Sequence, residues 1–429
     1  MPSQTPHPLP KFTGHVPERL YWEVKRGTCA LFAGAGLSSQ ATRQNGRPLP
    51  GWGALLAELA GMAREDGYPV ADDLVQTIRK GQLLEAGQEL QQLVSVSSLE
   101  AYLTRVFADP AVRPSPAHMV LPAIRLRAVL TTNYDSLIED AYRGATGKLP
   151  LTMIYADYAS GRPDPIRNGD FFVYKIHGDY RDVSSIALGT RRYQDLIHWN
   201  PGYRFLLESV FAAYTVLFIG FGGSDPDVAH VLDALAARFP GRSAAHYILL
   251  PGGRWTDTEK RRSREDRGLE LIEYDDRDNH VQVGAFLQQL ATGEPERDGR
   301  LRIAMTVSGS VELAAGKLRS VLDAGQYRVT ALDLDRASQA GWFDDLRAGI
   351  ELCDVVIDLG SGERDGEHDL IEWVAKGADR TLIRVVVGHH GLPSSHRRGV
   401  PIIAAPDEQW LGVLLQQLQQ VRAAIDVRE

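Results

Sequence analysis

The sequence predicts an α/β protein of two domains, each an open parallel sheet with helices on both faces. Three observations predict it. The chain has 429 residues, more than one hydrophobic core usually serves, so two domains are expected. Short continuous apolar runs alternate with stretches of helical spacing along most of its length, the pattern of β-α-β crossovers. Polar or glycine-rich turns follow the apolar runs, and in open α/β sheets ligands gather outside the carboxyl ends of the strands.

Residues 1–19 are proline-rich and read as an arm; they lack a basic stretch followed by an apolar core, so no secretion signal is expected. TCALFAGAG, residues 28–36, reads as a buried strand entering a glycine turn. Helical spacing then holds through WGALLAELAGMARE, LLEAGQELQQLVS and SLEAYLTRVF. A helical insertion is therefore expected from about 52 to 110, over the carboxyl edge of the sheet. AVLTTNYDSLIEDAY reads as strand, polar turn and helix, and DFFVYKIHGDY as a strand ending in a polar turn. YTVLFIGFGGSDPDVAHVLDALAARF reads as strand, glycine turn and helix; AAHYILLPG and GLELIEYDD are two further strands.

The aperiodic charged stretch TGEPERDGR, residues 292–300, marks the domain boundary. The first domain is taken as 20–292, the linker as 293–300 and the second domain as 301–429. The second domain offers five strands, LRIAMTV, YRVTALDL, DVVIDLG, TLIRVVVG and VPIIAA, with helices between them. This is a smaller doubly wound domain.

Composition narrows the function. Net charge is −8, which argues against general coating of nucleic acid. No run of about eighteen apolar residues occurs, so no membrane span is expected. Two cysteines, Cys29 and Cys353, build neither a disulfide framework nor a four-cysteine zinc site, and a reducing cytoplasm is the expected setting.

Four turns of the first domain fall at the same sheet edge. They are Gly34, Ala35, Gly36, Leu37 and Ser38; Thr131, Thr132, Asn133, Tyr134 and Asp135; His177, Gly178 and Asp179; and Gly220, Phe221, Gly222, Gly223, Ser224 and Asp225. Gly34 and Gly36 occupy the first two positions of a G-x-G-x-x-G loop, and Ser39 stands at the third. Such a loop lets backbone N–H groups approach a pyrophosphate. Each residue also has a plain structural reading: Ser38 as a helix cap, Asn133 as a turn residue, Asp135 as the N-cap of the next helix, His177 as a buried structural histidine. The convergence of four turns outweighs any one of them.

In the second domain, Ser308, Gly309 and Ser310 precede a helix and suggest a phosphate seat. Glu363, Asp365, Glu367, Asp369 and Glu372 crowd one loop, which reads equally as a solvated acidic face. His389, His390 and His396 invite a metal reading that adjacent histidines, pointing apart, argue against.

Taken together, GAGLS, TTNYD, KIHGDY and FIGFGGSDPDV resemble the sirtuin-like family over roughly residues 20–290. More narrowly, they resemble sirtuin-like effectors of bacterial antiphage defence, such as the Thoeris effector and those found beside HerA-type ATPases. The resemblance implies a Rossmann-like parallel sheet with a helical insertion, followed by a Rossmann-like or flavodoxin-like regulatory or assembly domain. It implies NAD as the substrate. Gly34, Ala35, Gly36, Ser38 and Thr132 would lie at the dinucleotide, with Gly220, Gly222 and Ser224 on its adenosine side. Asn133, Asp135 and His177 would be the catalytic set around the nicotinamide ribose. The deacylases of the family carry a four-cysteine zinc module after the histidine strand; residues 179–218 hold no cysteine. The resemblance therefore points to NAD hydrolysis with no metal, in a homo-oligomer under the control of a HerA-type ATPase or a nucleotide second messenger. Protein deacylation, ADP-ribosylation and a non-catalytic NAD-sensing scaffold remain the alternatives.

Overall fold

A computed structural model describes residues 9–155, 170–221, 233, 246–292, 300–307, 311–323, 327–334, 342–360, 365–387, 402–405 and 409–426. The chain divides into two compact units, Met1–Gly293 and Glu294–Glu429.

The first unit is built around β1, Cys29–Ala33, five buried residues at the centre of its sheet. The other strands are β2 (Leu126–Thr131), β3 (Leu151–Ile154), β4 (Phe172–Lys175), β5 (Thr215–Ile219), β6 (His246–Pro251) and β7 (Leu269–Tyr274). The sheet runs β3-β4-β2-β1-β5-β6-β7, and every pair is parallel. Helices cover both faces, so the inner strands read as unbroken apolar runs rather than alternating ones. The aromatic residues Phe32, Phe172, Phe211 and Phe218 fill one side.

The chain leaves β1 toward β2 on one side and later returns to β5 on the other. The β1/β5 boundary is thus a topological switch point, where adjacent loops diverge and leave a crevice. Register levels the strand ends there: Ala33 pairs with both Thr131 and Ile219, and Thr131 pairs with Lys175. The turns after β1, β2, β4 and β5 consequently emerge side by side.

The insertion consists of helices Trp52–Glu65, Asp72–Arg79, Leu83–Leu93 and Val96–Phe107. Leu55, Leu56, Leu59, Leu90 and Leu103 form its core, and Tyr134, Leu137, Ile186 and Leu188 from the sheet side join that core. A bidentate pair from Arg43 to Glu58, at 2.7 Å for each bond, anchors the segment that leads into it.

The second unit holds β8 (Leu301–Val307), β9 (Tyr327–Asp333), β10 (Val355–Gly360), β11 (Thr381–Val387) and β12 (Ile402–Ala405). Its parallel order, β12-β11-β10-β8-β9, is the 2-1-3-4-5 arrangement of flavodoxin-like sheets. The elements absent from the sequence reading include the edge strand β3, the helix Asp72–Arg79, which buries only Leu74, and the helices Glu18–Arg26, Pro116–Val120, Pro201–Ala213, Asp257–Arg267 and Val281–Thr292. Among the described residues no helix is long and apolar enough to cross a membrane.

Candidate active site

The glycine turn after β1 is shaped by the turn after β5. A Cβ on Gly34 would stand 2.7 Å from the Gly220 carbonyl oxygen, and one on Gly36 would stand 2.8 Å from Gly220 Cα. Gly220 itself has φ +82°, a left-handed conformation that glycine adopts at no steric cost. The N–H of Gly34 donates to Ile219 O at 2.8 Å, and that of Gly36 to Gly220 O at 2.9 Å. These two donors stitch the turns together, so the glycines serve backbone approach between turns. The N–H groups of Gly34 and Gly36 are therefore committed to the neighbouring turn. The helix behind them, Ala35–Ser38, is a single turn.

Asn133 lies directly beside this turn. Its Nδ2 donates to Gly34 O at 3.1 Å and to Ser38 Oγ at 3.0 Å, and its own N–H donates to Thr131 Oγ1 at 3.0 Å. Two side-chain bonds fix the carboxamide, and Oδ1 is a buried acceptor with no partner among the described residues. Ser38 therefore acts as an acceptor for Asn133 rather than as a helix cap. Asp135 Oδ1 accepts the Leu137 N–H at 3.0 Å; the N-cap of the helix Leu137–Thr146 is Ser136, so Asp135 bridges the turn into the helix from one residue earlier than expected. Thr132 N–H donates to Ala33 O at 3.2 Å.

His177 follows β4 by two residues and is 8% exposed. Its carbonyl accepts the Ala187 N–H at 2.9 Å, and its ring lies edge-on to Tyr193 at 6.0 Å between centroids. Gly178, at φ +95°, brings the chain against the Ser185 carbonyl. The strap after it, around residues 186–189, is pinned by the Tyr134 hydroxyl, which donates to Ala187 O at 2.9 Å. The insertion grips the same strap: Arg191 N–H donates to Gln88 Oε1 at 2.9 Å.

Sequence reasoning missed Lys175, the last residue of β4. It is fully buried. Its ammonium donates to the Tyr134 carbonyl at 3.1 Å and to the Asp135 carbonyl, and it pairs with Asp179 at 2.8 Å and Glu139 at 3.4 Å. Burial pushes the Asp179 carboxyl up, but hydrogen bonds from Arg181 and the charge of Lys175 outweigh it and hold the group at about 2. Burial raises Glu139 against the opposing pull of Lys175. A lysine inside FFVYKIHG was the available signal: a charge in an otherwise apolar strand implies a buried partner.

Two clefts flank the Gly220 turn. The first, of about 220 Å³, is lined by Ala35, Ser38, Thr132, Asn133, Asp135 and His177 on the sheet side. Leu49, Pro50, Trp52, Leu55 and Phe107, in and beside the insertion, form its apolar wall. The second, of about 230 Å³, lies toward β6 and β7 and includes Gly36, Ser39, Arg254, Tyr274 and His280. Gly220 and Phe221 line both. The structure thus brings Ala35, Ser38, Thr132, Asn133, Asp135, His177 and Gly220 to one cleft and puts Gly36 at its neighbour. Gly34 lies behind, in the backbone contact. Gly222, Ser224 and Asp225 fall outside the described residues, as do Ser308, Gly309, Ser310, Glu363, His389, His390 and His396. Among the described residues no group of three or more His, Cys, Asp or Glu side chains is placed to hold a metal.

The candidate site is thus a set of turns converging at the switch point of a parallel sheet, beside a helical insertion. The family model for the SIR2-like domain matches residues 127–272, from β2 to β7. Among curated proteins, the chain is 27% identical over 230 residues to the NAD(+) hydrolase ThsA of Enterococcus faecium, covering 53% of this chain and 44% of that protein. It is 30% identical over 223 residues to the NAD(+) hydrolase ThsA of Cytobacillus dafuensis, covering 52% of this chain and 40% of that one. It is 25% identical over 122 residues to the defense-associated sirtuin 2 of Bacillus subtilis, covering 28% of this chain and 12% of that protein. The match thus spans less than half the length of each of these relatives.

Proposed function

We propose that this chain hydrolyses the nicotinamide–ribose bond of NAD, releasing nicotinamide and ADP-ribose, as an antiphage effector that depletes cellular NAD. The observation that carries the reading is the pair of clefts meeting at Gly220 and Phe221. A dinucleotide has two halves joined by a pyrophosphate, and two clefts on either side of a glycine turn suit that shape. The nicotinamide half belongs in the cleft that holds Asn133 and His177. The adenosine half belongs in the other, with Gly222 and Ser224 as further contacts. Names of relatives that are NAD hydrolases or defence-associated support the same reading.

In this mechanism the bond from C1′ of the ribose to the pyridinium nitrogen breaks, and its electron pair leaves with neutral nicotinamide. The sugar passes through an oxocarbenium-like state, as in other glycosyl transfers. Water attacks C1′ and loses a proton. No strong acid is required, because the leaving group departs neutral. The protein must hold the sugar, orient one water and exclude the rest. Asn133, with its carboxamide locked by Gly34 and Ser38, orients that water or a ribose hydroxyl through its unpartnered Oδ1. His177 hydrogen-bonds a ribose hydroxyl and takes the proton. Asp135 holds the start of the following helix and keeps the turn in place. Ala35, Gly36, Ser38, Thr132 and Gly220 form the dinucleotide seat, and Gly34 behind them shapes the turn. The apolar wall excludes bulk water.

The setting is the cytoplasm, consistent with two buried free cysteines. The unit from 301 to 429 is the regulatory or assembly domain, and control comes through a homo-oligomer, a nucleotide messenger or a HerA-type ATPase. Asn133→Ala and His177→Ala are expected to lose at least 100-fold in nicotinamide release with unchanged circular dichroism. Full activity in either variant overturns its assignment.

A further inference from the structure

Three elements of the candidate site meet at one buried cation. The turn after β2 contributes the carbonyls of Tyr134 and Asp135, the turn after β4 contributes Asp179, and the helix Leu137–Thr146 contributes Glu139. Each is a hydrogen-bond acceptor or a negative charge, and Lys175 Nζ faces all of them from a position with no solvent exposure. The Tyr134 carbonyl also accepts the Tyr180 N–H at 3.2 Å, a second link between the same two turns. Asn133 sits one residue before the first of these carbonyls. His177 sits midway between Lys175 and Asp179.

We propose that Lys175 is a positioning residue for the reaction: its ammonium fastens the turn carrying Asn133 to the turn carrying His177. The proposal rests on the NAD-hydrolase reading and names what holds the two reacting side chains in register. A buried lysine is a poor choice for stability alone, since its desolvation commonly cancels its Coulombic gain. Here its donors go to main-chain carbonyls of the site rather than only to counter-ions. Asp179 has a second cation, Arg181, with bonds of 2.8 and 2.6 Å, so its charge stays matched without Lys175. Glu139 faces Arg181 only at 3.8 Å and depends on the lysine. Losing Lys175 therefore has two separable consequences: an unmatched carboxylate at Glu139, and two untethered carbonyls in the site turn.

The experiment separates them. Lys175→Met removes both tether and charge, and adding Glu139→Gln removes the carboxylate left behind. Glu139→Gln alone is the control. If Lys175 is a positioning residue, the double variant melts near the wild type and binds NAD with an unchanged Kd. Its kcat for nicotinamide release nonetheless falls about 100-fold, the scale of a misplacement near 1 Å. Glu139→Gln keeps turnover within a few-fold. Turnover in the double variant within threefold of wild type overturns the proposal and leaves Lys175 as a counter-charge. Amide hydrogen exchange across residues 131–137 gives a readout that needs no turnover. Faster exchange there in the double variant and not in Glu139→Gln is expected; equal protection overturns the proposal. A wild-type protein that neither binds NAD nor releases nicotinamide would sink the hydrolase reading instead, while the exchange measurement would still decide the tether.

Discussion

Asn133 and His177 were legible as residues because each follows an apolar strand and interrupts it with polarity. What sequence could not give was where their bonds go. The sequence offers Ser38 as a helix cap or a dinucleotide contact, and in the structure its Oγ accepts from Asn133. Two other histidines carry a testable consequence. His118 and His246 are buried, and burial lowers each imidazole to about 4. Each Nδ1 accepts a backbone N–H, from Ser115 at 3.3 Å and Val216 at 3.1 Å, which only the neutral ring can do. In the unfolded chain histidine titrates near 6.5. The folded state is therefore favoured fully above that pH and loses ground as pH falls toward 4, because the unfolded chain takes up protons first. The loss is on the order of 2 kcal/mol per histidine by pH 5. Thermal scans at pH 7.5 and 5.0 are expected to show a lower Tm at pH 5.0, and His246→Gln should narrow the gap. An unchanged gap would contradict this account of His246.

At the scale of elements, the strands β1, β2, β4, β5 and β6 were legible because a sheet covered on both faces writes continuous apolar runs into the sequence, and the edge strand β7 because its buried Leu269, Ile272 and Tyr274 are bounded by turns despite Glu270 and Glu273. β3 was not. Its four residues sit at the edge, half of them only partly buried and Leu151 exposed, so LTMI carries neither length nor full apolarity. The helix Asp72–Arg79 escaped for the same reason. The glycine turn was legible as a turn but not in its use. A sequence shows Gly34, Gly36 and Gly220, and does not show that they touch. Gly220→Ala tests that contact. Its Cβ would meet Leu37 N at 2.5 Å and Gly34 O at 2.6 Å from a left-handed backbone. A destabilisation of roughly 2 kcal/mol or more is expected, read as a lower urea midpoint together with weaker NAD binding. A midpoint equal to wild type would show that the turns separate without cost.

The whole molecule joins a seven-stranded sheet and a five-stranded sheet in successive units. Both were legible as doubly wound sheets, since parallel strands need crossovers and crossovers leave helical spacing between apolar runs; the strand order of the second is not written in that spacing and comes from the structure. The candidate site lies in the first unit, where register brings the ends of β1, β2, β4 and β5 level. The choice of reaction rests on what accepts the sugar. Residues 179–218 contain no cysteine, so a four-cysteine zinc module has no ligands there, and the proposed reaction takes water as the acceptor. The most direct test is nicotinamide release from NAD by the purified full chain with no acylated peptide present, with products resolved and His177→Ala run beside it. The account predicts nicotinamide and ADP-ribose in equal amounts from the wild type, independent of peptide, and none from the variant. Nicotinamide release that appears only when an acylated peptide is added, with the acyl group found on the sugar, would contradict it.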